Sequence, residues 1–296
     1  MLIGFLQAFG SMALFGLYMV PRKFCGLRNL EFVLTLGCGV VATSGIVWAL
    51  GGRPSALPPG SLFQAILCGP IWTFGMVSFT IAVAEMGLTL ATPIKNTTAV
   101  LGSLIGLVGF GEVRHTQPIL ALSGSALIVL CAVVVGRTGE EAEGRHSLTP
   151  AGIFWSLSAA VCFAAYTWPL KIAMRLGLDT LTIVAVMALS IVASALVGLL
   201  LGGGSLVHWA KAPRKDHAFG ALAGALWCGS TLLLNYAIGR IGLAVTWPIT
   251  NLNTIVAVGL GVWVFHEVDA HRHRRTLLLG MLYATIGVVL LGLSKA

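Results

Sequence analysis

Two asparagines in matching surroundings are the first candidates for chemistry in this sequence. Asn96 ends the run "TPIKN" and Asn251 ends "WPITN", so each follows a proline, Pro93 or Pro248, by three residues. An amide side chain both donates and accepts hydrogen bonds, which suits a solute rich in hydroxyl or amide groups. The alternative interpretation is that the two amides join neighbouring helices.

The prolines add a second property to these stretches. Proline has no N–H to donate, and it disturbs the helical turn that precedes it. Pro93 and Pro248 are therefore expected to loosen the backbone and to leave carbonyl groups free to meet a solute. A simple helix kink is the alternative.

Aromatic residues offer flat apolar faces on which a sugar ring or a heterocycle could stack. The alternative for any one tryptophan is a place in the aromatic belt at the membrane surface. Polar and aromatic residues recur at three-to-four spacing, which puts them on single helix faces. The candidate binding residues are Tyr18, Trp72, Lys95, Asn96, Tyr166, Trp227, Asn235, Trp247 and Asn251.

Lys95 is an unusual residue for so apolar a stretch, because a cation deep in a bilayer costs about 3 kcal/mol on insertion scales. Three interpretations stay open. Lys95 could hold an anionic or zwitterionic part of a solute, change its protonation state during a cycle, or extend to the lipid headgroups. The glutamates Glu31, Glu85, Glu112 and Glu267 all fall at the ends of apolar segments.

Glu112 and Glu267 close two of these segments in equivalent ways. We expect them to act as helix-terminal gates, or as partners of Arg114 and Arg272. Otherwise they are ordinary surface charges.

Membrane helices must position all these residues. Hydrophobic residues make up 57% of the 296 positions, charged residues 9%, and the mean hydropathy is +0.94. Soluble domains rarely reach such values. Ten apolar segments have spanning length, which predicts an all-α integral membrane protein. The predicted spans are Leu2–Val20, Phe32–Leu50, Leu62–Ala84, Thr89–Gly111, Pro118–Val135, Pro150–Ala173, Leu181–Leu201, Ala218–Ile238, Leu243–Phe265 and Thr276–Leu293.

Several function classes do not fit. The net charge of +8 resides mainly on Lys and Arg at the ends of the spans, where they meet lipid headgroups rather than nucleic acid. The six cysteines have no metal-binding or redox spacing. No clustered catalytic constellation indicates an enzyme. We therefore expect neither a cofactor nor a metal.

An internal repeat divides the chain into halves. A shift of 155 positions lays Gly69–Glu112 on Gly224–Glu267 without a gap, with 11 of 44 residues identical. Five spans per half is an odd number, so the halves enter the membrane from opposite sides. Inverted repeats of this kind are typical of transporters. The predicted units are 1–137, a polar linker 138–149, and 150–296. Matching pairs include Trp72 with Trp227, Asn96 with Asn251 and Glu112 with Glu267, and a shift of 148 adds Tyr18 with Tyr166.

This arrangement resembles the drug/metabolite transporter superfamily with its EamA-type repeats. The run "MVPRKF" after the first span is similar to the helix end found in the glucose/ribose porter and rhamnose-proton symporter branch. The resemblance implies a central cavity, transport by alternating access, proton coupling and cytoplasmic termini. Loops after the odd-numbered spans hold eleven Lys and Arg against six on the other side. The positive-inside rule would instead put both termini outside.

The sequence thus predicts a multi-pass transporter of a small polar solute in a bacterial or archaeal inner membrane. A sugar is the preferred solute, with protons as the coupling ion that the resemblance implies. The alternative is a transporter or exchanger of an anionic or zwitterionic metabolite that uses Lys95 without proton coupling.

Overall fold

The computed structural model describes residues 1–51, 57–140, 149–202, 204–263 and 273–295, and the regular structure within them is helical. Eight helical segments within these ranges are long and apolar enough to cross a membrane, and two of them, Leu2–Arg22 and Pro150–Arg175, each run through a short interruption. The α-helices are α1 Leu2–Leu17, α2 Asn29–Leu50, α3 Pro59–Lys95, α4 Thr98–Leu104, α5 Pro118–Glu140, α6 Pro150–Ala165, α7 Thr167–Arg175, α8 Thr180–Leu201, α9 Leu206–Ala210, α10 Arg214–Ile241, α11 Leu243–Thr250, α12 Asn253–Trp263 and α13 Arg274–Leu293.

Side chains at two of the helix starts explain where those helices begin. The Thr149 hydroxyl accepts a 3.0 Å hydrogen bond from the Gly152 N–H and caps α6. Asp179 does the same for α8 by accepting from the Thr182 N–H at 3.0 Å. Such caps satisfy backbone donors that the first helical turn leaves without partners.

The predicted fourth and ninth spans are interrupted, which is why eight long helices stand where ten continuous spans were expected. Asn96 and Thr97 form a turn between α3 and α4, and Asn251 and Leu252 form one between α11 and α12. The two turns fall at positions that the 155-residue shift pairs. Both interruptions lie after the prolines, whereas the sequence predicted that the helical turn before each proline would be loosened.

A second pair of interruptions falls at the paired tyrosines. Tyr18 ends α1 and Tyr166 ends α6, and in each case a short helix follows, the 3₁₀ turn Val20–Phe24 or α7. Pro21 and Pro169 lie in the first turn of these following helices. A missing N–H removes no helical hydrogen bond there.

The helices pack in pairs that mirror the repeat. α1 packs against α10 and α3 against α6, while α2 packs against α8, α5 against α13 and α4 against α11. In the repeat, α6 is the equivalent of α1 and α3 is the equivalent of α10. The α1–α10 contact and the α6–α3 contact are therefore equivalent. The largest buried cluster lies where α2, α3, α8 and α10 meet.

Glycines set the distance between α2 and α10. A Cβ atom added at Gly39 would lie 2.6 Å from the Ala221 Cα atom, and one at Gly224 would lie 2.8 Å from the Val40 nitrogen. Both neighbours are backbone atoms that cannot rotate away. Gly45, in the same helix as Gly39, has no such neighbour within 4 Å.

We therefore expect Gly39→Ala to lower the apparent melting temperature of the purified protein in detergent. Overpacking of this kind costs about 1–3 kcal/mol. Gly45→Ala is the matched control in the same helix, and we expect it to leave stability unchanged or to raise it, because alanine favours a helix interior by roughly 0.5–1 kcal/mol. Equal melting temperatures for the two variants would contradict the close crossing.

Candidate functional site

The paired tryptophans meet near the centre of the helix bundle. Trp72 of α3 and Trp227 of α10 are both buried, and their ring centroids lie 4.9 Å apart with planes at 60°. The ring of Phe163 lies 6.4 Å from that of Trp72. Burial excludes these two tryptophans from an interfacial belt. In contrast, Trp168 is 44% exposed and covers Phe110 from outside.

A second aromatic contact joins the end of α6 to α11. The Tyr166 and Trp247 rings lie 5.6 Å apart in an edge-to-face arrangement. The Trp247 indole N–H donates to the Thr98 hydroxyl at 3.3 Å. Tyr18 packs against the same buried cluster and against Phe15, with ring centroids 6.1 Å apart. The aromatic candidates therefore gather in one region.

Asn96 and Asn251 use their amide donors within the protein. The Asn96 Nδ2 group donates to the Thr254 hydroxyl at 2.8 Å, which ties the turn after α3 to α12. The Asn251 Nδ2 group donates to the Trp247 carbonyl at 2.8 Å and closes the end of α11. For Asn96 this is the helix-joining alternative that the sequence left open. Its Oδ1 atom has no hydrogen-bond partner among the described residues.

Asn235 differs from both. Its side chain is fully buried in α10, and neither its Nδ2 nor its Oδ1 atom has a partner in the described part of the chain. The Thr231 hydroxyl, one turn earlier, is likewise without a partner there. Thr231 was not among the predicted binding residues, although its spacing of four residues from Trp227 and from Asn235 places the three on one helix face.

Gln7 of α1 completes this group. The Ser11 and Ser230 hydroxyls lie 3.0 Å apart, and a Cβ atom on Gly4 would lie 2.7 Å from Ile241, so α1 and α10 run antiparallel. These contacts bring Gln7 to the depth of Asn235. The Gln7 Oε1 atom also lacks a partner among the described residues. We call Gln7, Thr231 and Asn235 the polar cluster.

Lys95 is the last residue of α3, directly before the Asn96 turn. Its ammonium nitrogen lies 5.5 Å from the centroid of the Phe79 ring, within the range of a cation–π contact. Within the described ranges no carboxylate pairs with it. This contact leaves all three interpretations of Lys95 open.

Glu112 binds the start of α11. Its Oε1 atom accepts from the Leu243 N–H and its Oε2 atom from the Ala244 N–H, both at 2.9 Å. Oε1 also accepts from the Lys171 ammonium group of α7, so the partner of Glu112 is Lys171 rather than the expected Arg114. We call Glu112, Lys171 and these two backbone amides the Glu112 clasp.

Glycine is required beside the clasp. Gly242 has a φ of 82°, a conformation that favours glycine. A Cβ atom there would also lie 2.7 Å from the Glu112 Oε2 atom. The chain can therefore turn from α10 into α11 and still present its amides to the carboxylate.

Of the other predicted residues, the structure describes Pro248 fully, Pro93 in part and Glu267 not at all. Pro248 lies inside α11, and the Ala244 carbonyl four residues before it accepts a 2.7 Å hydrogen bond from the Ser103 hydroxyl. The carbonyl that this proline frees is therefore satisfied by α4 and is not left open to a solute. Of Pro93 only the backbone, within α3, is described. Glu267 lies outside the described residues.

Comparisons with known proteins agree with this architecture. The model of the family described as sugar transport protein matches residues 6–294. Three relatives, provisionally named as sugar uptake proteins, are each 24% identical to this chain. The Streptococcus pyogenes serotype M1 protein aligns over 265 residues, 88% of this chain and 89% of its own. The Streptococcus agalactiae serotype V protein aligns over 282 residues, 94% and 93%. The Listeria monocytogenes protein aligns over 255 residues, 84% of each chain.

One solved crystal structure has the same fold. It superposes with a TM-score of 0.77 over 98% of this chain and 96% of the other, at 16% sequence identity. The apolar helices and the bacterial relatives together identify a multi-pass bacterial membrane protein, and the family is one of transporters rather than enzymes. Because the family match spans nearly the whole length, the chain belongs to the sugar transport protein family.

Proposed function

We propose that the protein is a secondary transporter that carries a small neutral solute, a sugar, across the membrane by alternating access. The family match and the names of the bacterial relatives support sugar as the solute class. The aromatic contact between Trp72 and Trp227 supports a central site, because a sugar ring stacks on apolar faces of this kind.

Asn235 is the observation that carries the proposal. Its two side-chain polar atoms are buried without a partner among the described residues, which is costly in a membrane protein, since neither lipid nor an apolar neighbour can bond them. A sugar hydroxyl can donate to the Asn235 carbonyl oxygen and accept from its amide group. Gln7 and Thr231 add an acceptor and a hydroxyl at a similar depth. We therefore assign recognition of the solute hydroxyls to the polar cluster.

The proposed architecture is ten spans in two inverted five-helix repeats, 1–137 and 150–296 joined by 138–149, of the drug/metabolite transporter type. Two features support it. The interruptions fall at equivalent residues in the two halves, and the helix pairs exchange under the repeat. Halves that can exchange conformations give access first from one side and then from the other.

In this scheme the Glu112 clasp is the closed gate at one end. Glu112 belongs to the first half, whereas Lys171 and the amides of α11 belong to the second. The Arg175 guanidinium donates to the Phe110 carbonyl at 2.7 Å and links the same two halves. Opening this end requires these hydrogen bonds to break.

A second candidate function is transport of an anionic or zwitterionic metabolite held by Lys95. The observation in its favour is that Lys95 has an aromatic neighbour, Phe79, but no carboxylate partner in the described part of the chain. Proton coupling enters the proposal through the resemblance to the proton symporter branch, and facilitated diffusion or exchange is the alternative.

Solute-induced thermal stabilisation tests the solute class. Ligands that bind the folded state raise the apparent melting temperature by mass action. We expect neutral sugars to stabilise wild type and Lys95→Met equally in a panel that also holds polyols, amino acids and carboxylated metabolites. Stabilisation of wild type alone by anionic solutes would favour the second candidate, and no sugar response in either form would contradict the proposal.

Asn235→Leu tests the polar cluster. The substitution removes groups that have no partner in the described structure, so we expect stability without solute to be retained and sugar affinity to fall about tenfold, the effect of roughly 1.4 kcal/mol. Asn251→Leu is the matched control. It removes the bond to the Trp247 carbonyl, and we expect it to lower stability by about 1 kcal/mol. Unchanged sugar affinity in Asn235→Leu would remove the cluster from the site.

Glu112→Gln tests the gate. Loss of the carboxylate charge weakens the bonds to Lys171 and to the start of α11. We expect turnover in proteoliposomes to fall severalfold, because this end recloses less readily, while sugar affinity stays within about twofold. Glu85→Gln, at an exposed glutamate of α3, is the control and should leave turnover unchanged. A normal rate in Glu112→Gln would contradict the gating role.

A further inference from the structure

A cavity lies where α7, α10 and α13 end, about one helical turn along α10 from Asn235. It has a volume of about 380 Å³ and includes Glu112, Lys171 and Arg175 in its lining. His115 and Lys295 also line it. The lining joins these charged and polar groups to Met174 and Ile238, and it differs from the aromatic surroundings of Trp72 and Trp227.

The charges in this cavity do not balance. Glu112 is the only carboxylate among its described lining residues, and both of its oxygens are already engaged by Lys171 and the α11 amides. Arg175 and Lys295 remain without a carboxylate partner there. The described lining residues thus carry an excess of positive charge.

The cations are held close together. The Lys171 ammonium nitrogen lies 4.8 Å and the Arg175 guanidinium carbon 4.7 Å from the centroid of the same Phe110 ring. One N–H of Arg175 donates to the Phe110 carbonyl. A guanidinium group has five N–H donors, so others remain for a ligand.

Lys295 lines the cavity from a segment whose backbone is held by a hydrogen bond. The Gln117 N–H donates to the Ser294 carbonyl at 2.8 Å, and the Ser294 side chain is buried. Lys295 itself is partly buried, and burial lowers the pKa of its ammonium group. A neighbouring anion would offset that cost of burial.

We propose that this cavity binds a phosphate group between Arg175 and Lys295, near Lys171. Arginine and lysine are the residues that bind phosphate oxygens in proteins. Small-molecule sites range from about 300 to 1,000 Å³, so the cavity has room for a phosphate with a small organic part. The phosphate belongs either to a water-soluble molecule or to a phospholipid headgroup at the membrane surface. No residue of the polar cluster is among the described lining residues of this cavity.

Gly239 provides a way to fill the cavity without changing its charge. A Cβ atom there would have the Met174 methyl carbon as its nearest neighbour, at an ordinary 3.8 Å. A side chain at this position therefore starts without a clash, and we expect Gly239→Leu to occupy cavity volume. Lys295→Met removes charge at a residue beyond α13. Lys211→Met, at an exposed lysine outside the cavity, is the charge-matched control.

Thermal shift of the full-length protein with inorganic phosphate and glycerol phosphate tests the proposal, in neutral detergent and against sodium chloride at equal ionic strength. We expect phosphate to stabilise wild type and Lys211→Met. Its apparent affinity should fall at least tenfold in Lys295→Met and in Gly239→Leu. Equal phosphate responses in all four proteins would mean a general salt effect and would overturn the proposal.

Lipid discs separate the two sources of phosphate. Discs of phosphatidylcholine with and without phosphatidylglycerol are compared for wild type and Lys295→Met. Stabilisation of wild type by phosphatidylglycerol, without a response to soluble phosphates, assigns the site to a lipid headgroup. No difference between the proteins in either experiment overturns the site. Sugar stabilisation of Lys295→Met, measured in parallel, should stay at the wild-type level, so the two proposals fail independently.

Discussion

Every polar group inside a bilayer needs a partner within the protein, and the interrupted helices of this chain depend on that requirement. Pro248 has no N–H to donate to the Ala244 carbonyl, so the Ser103 hydroxyl donates to that carbonyl instead. The Ser125 hydroxyl lies 2.7 Å from the Ser103 hydroxyl. The Trp247 carbonyl receives the Asn251 amide. The Trp247 carbonyl also keeps the Asn251 backbone N–H at 3.2 Å. Side chains thus replace the hydrogen bond that Pro248 removes and reinforce the end of α11, and this permits non-helical backbone at membrane depth.

Close packing makes these side-chain bonds possible. A Cβ atom at Gly106 would lie 2.6 Å from the Ala244 nitrogen, and the Trp247 ring packs directly on Gly102. The two glycines let α11 approach α4 closely enough for Ser103 to reach its carbonyl. Not every buried polar atom among the described residues is paired, and the polar cluster brings several such atoms to a similar depth: both side-chain polar atoms of Asn235, the Thr231 hydroxyl and the Gln7 Oε1 atom. Such groups are retained at a cost, which is why we connect them with a solute.

The sequence predicted most of the helices, because hydropathy over about 20 residues is a local property. It also paired Asn96 with Asn251 and Tyr18 with Tyr166, and all four fall at helix interruptions. It did not predict which amides would be used internally, since that depends on partners such as Thr254, 158 residues away from Asn96. Lys171 was missed as the partner of Glu112 for the same reason. Arg114 is close in sequence, whereas Lys171 is brought in by the packing of α7.

Lys171 connects the proposed gate with the proposed phosphate site. In the closed clasp its ammonium group binds the Glu112 carboxylate, yet it also lines the cavity beside Arg175. A phosphate in that cavity would compete with Glu112 for the same ammonium group. When the Lys171 ammonium group binds the phosphate, its bond to Glu112 is weakened, and Glu112 is held less firmly against α7. Anion binding and closure of this end of the transporter would therefore oppose each other, and linkage makes that effect reciprocal.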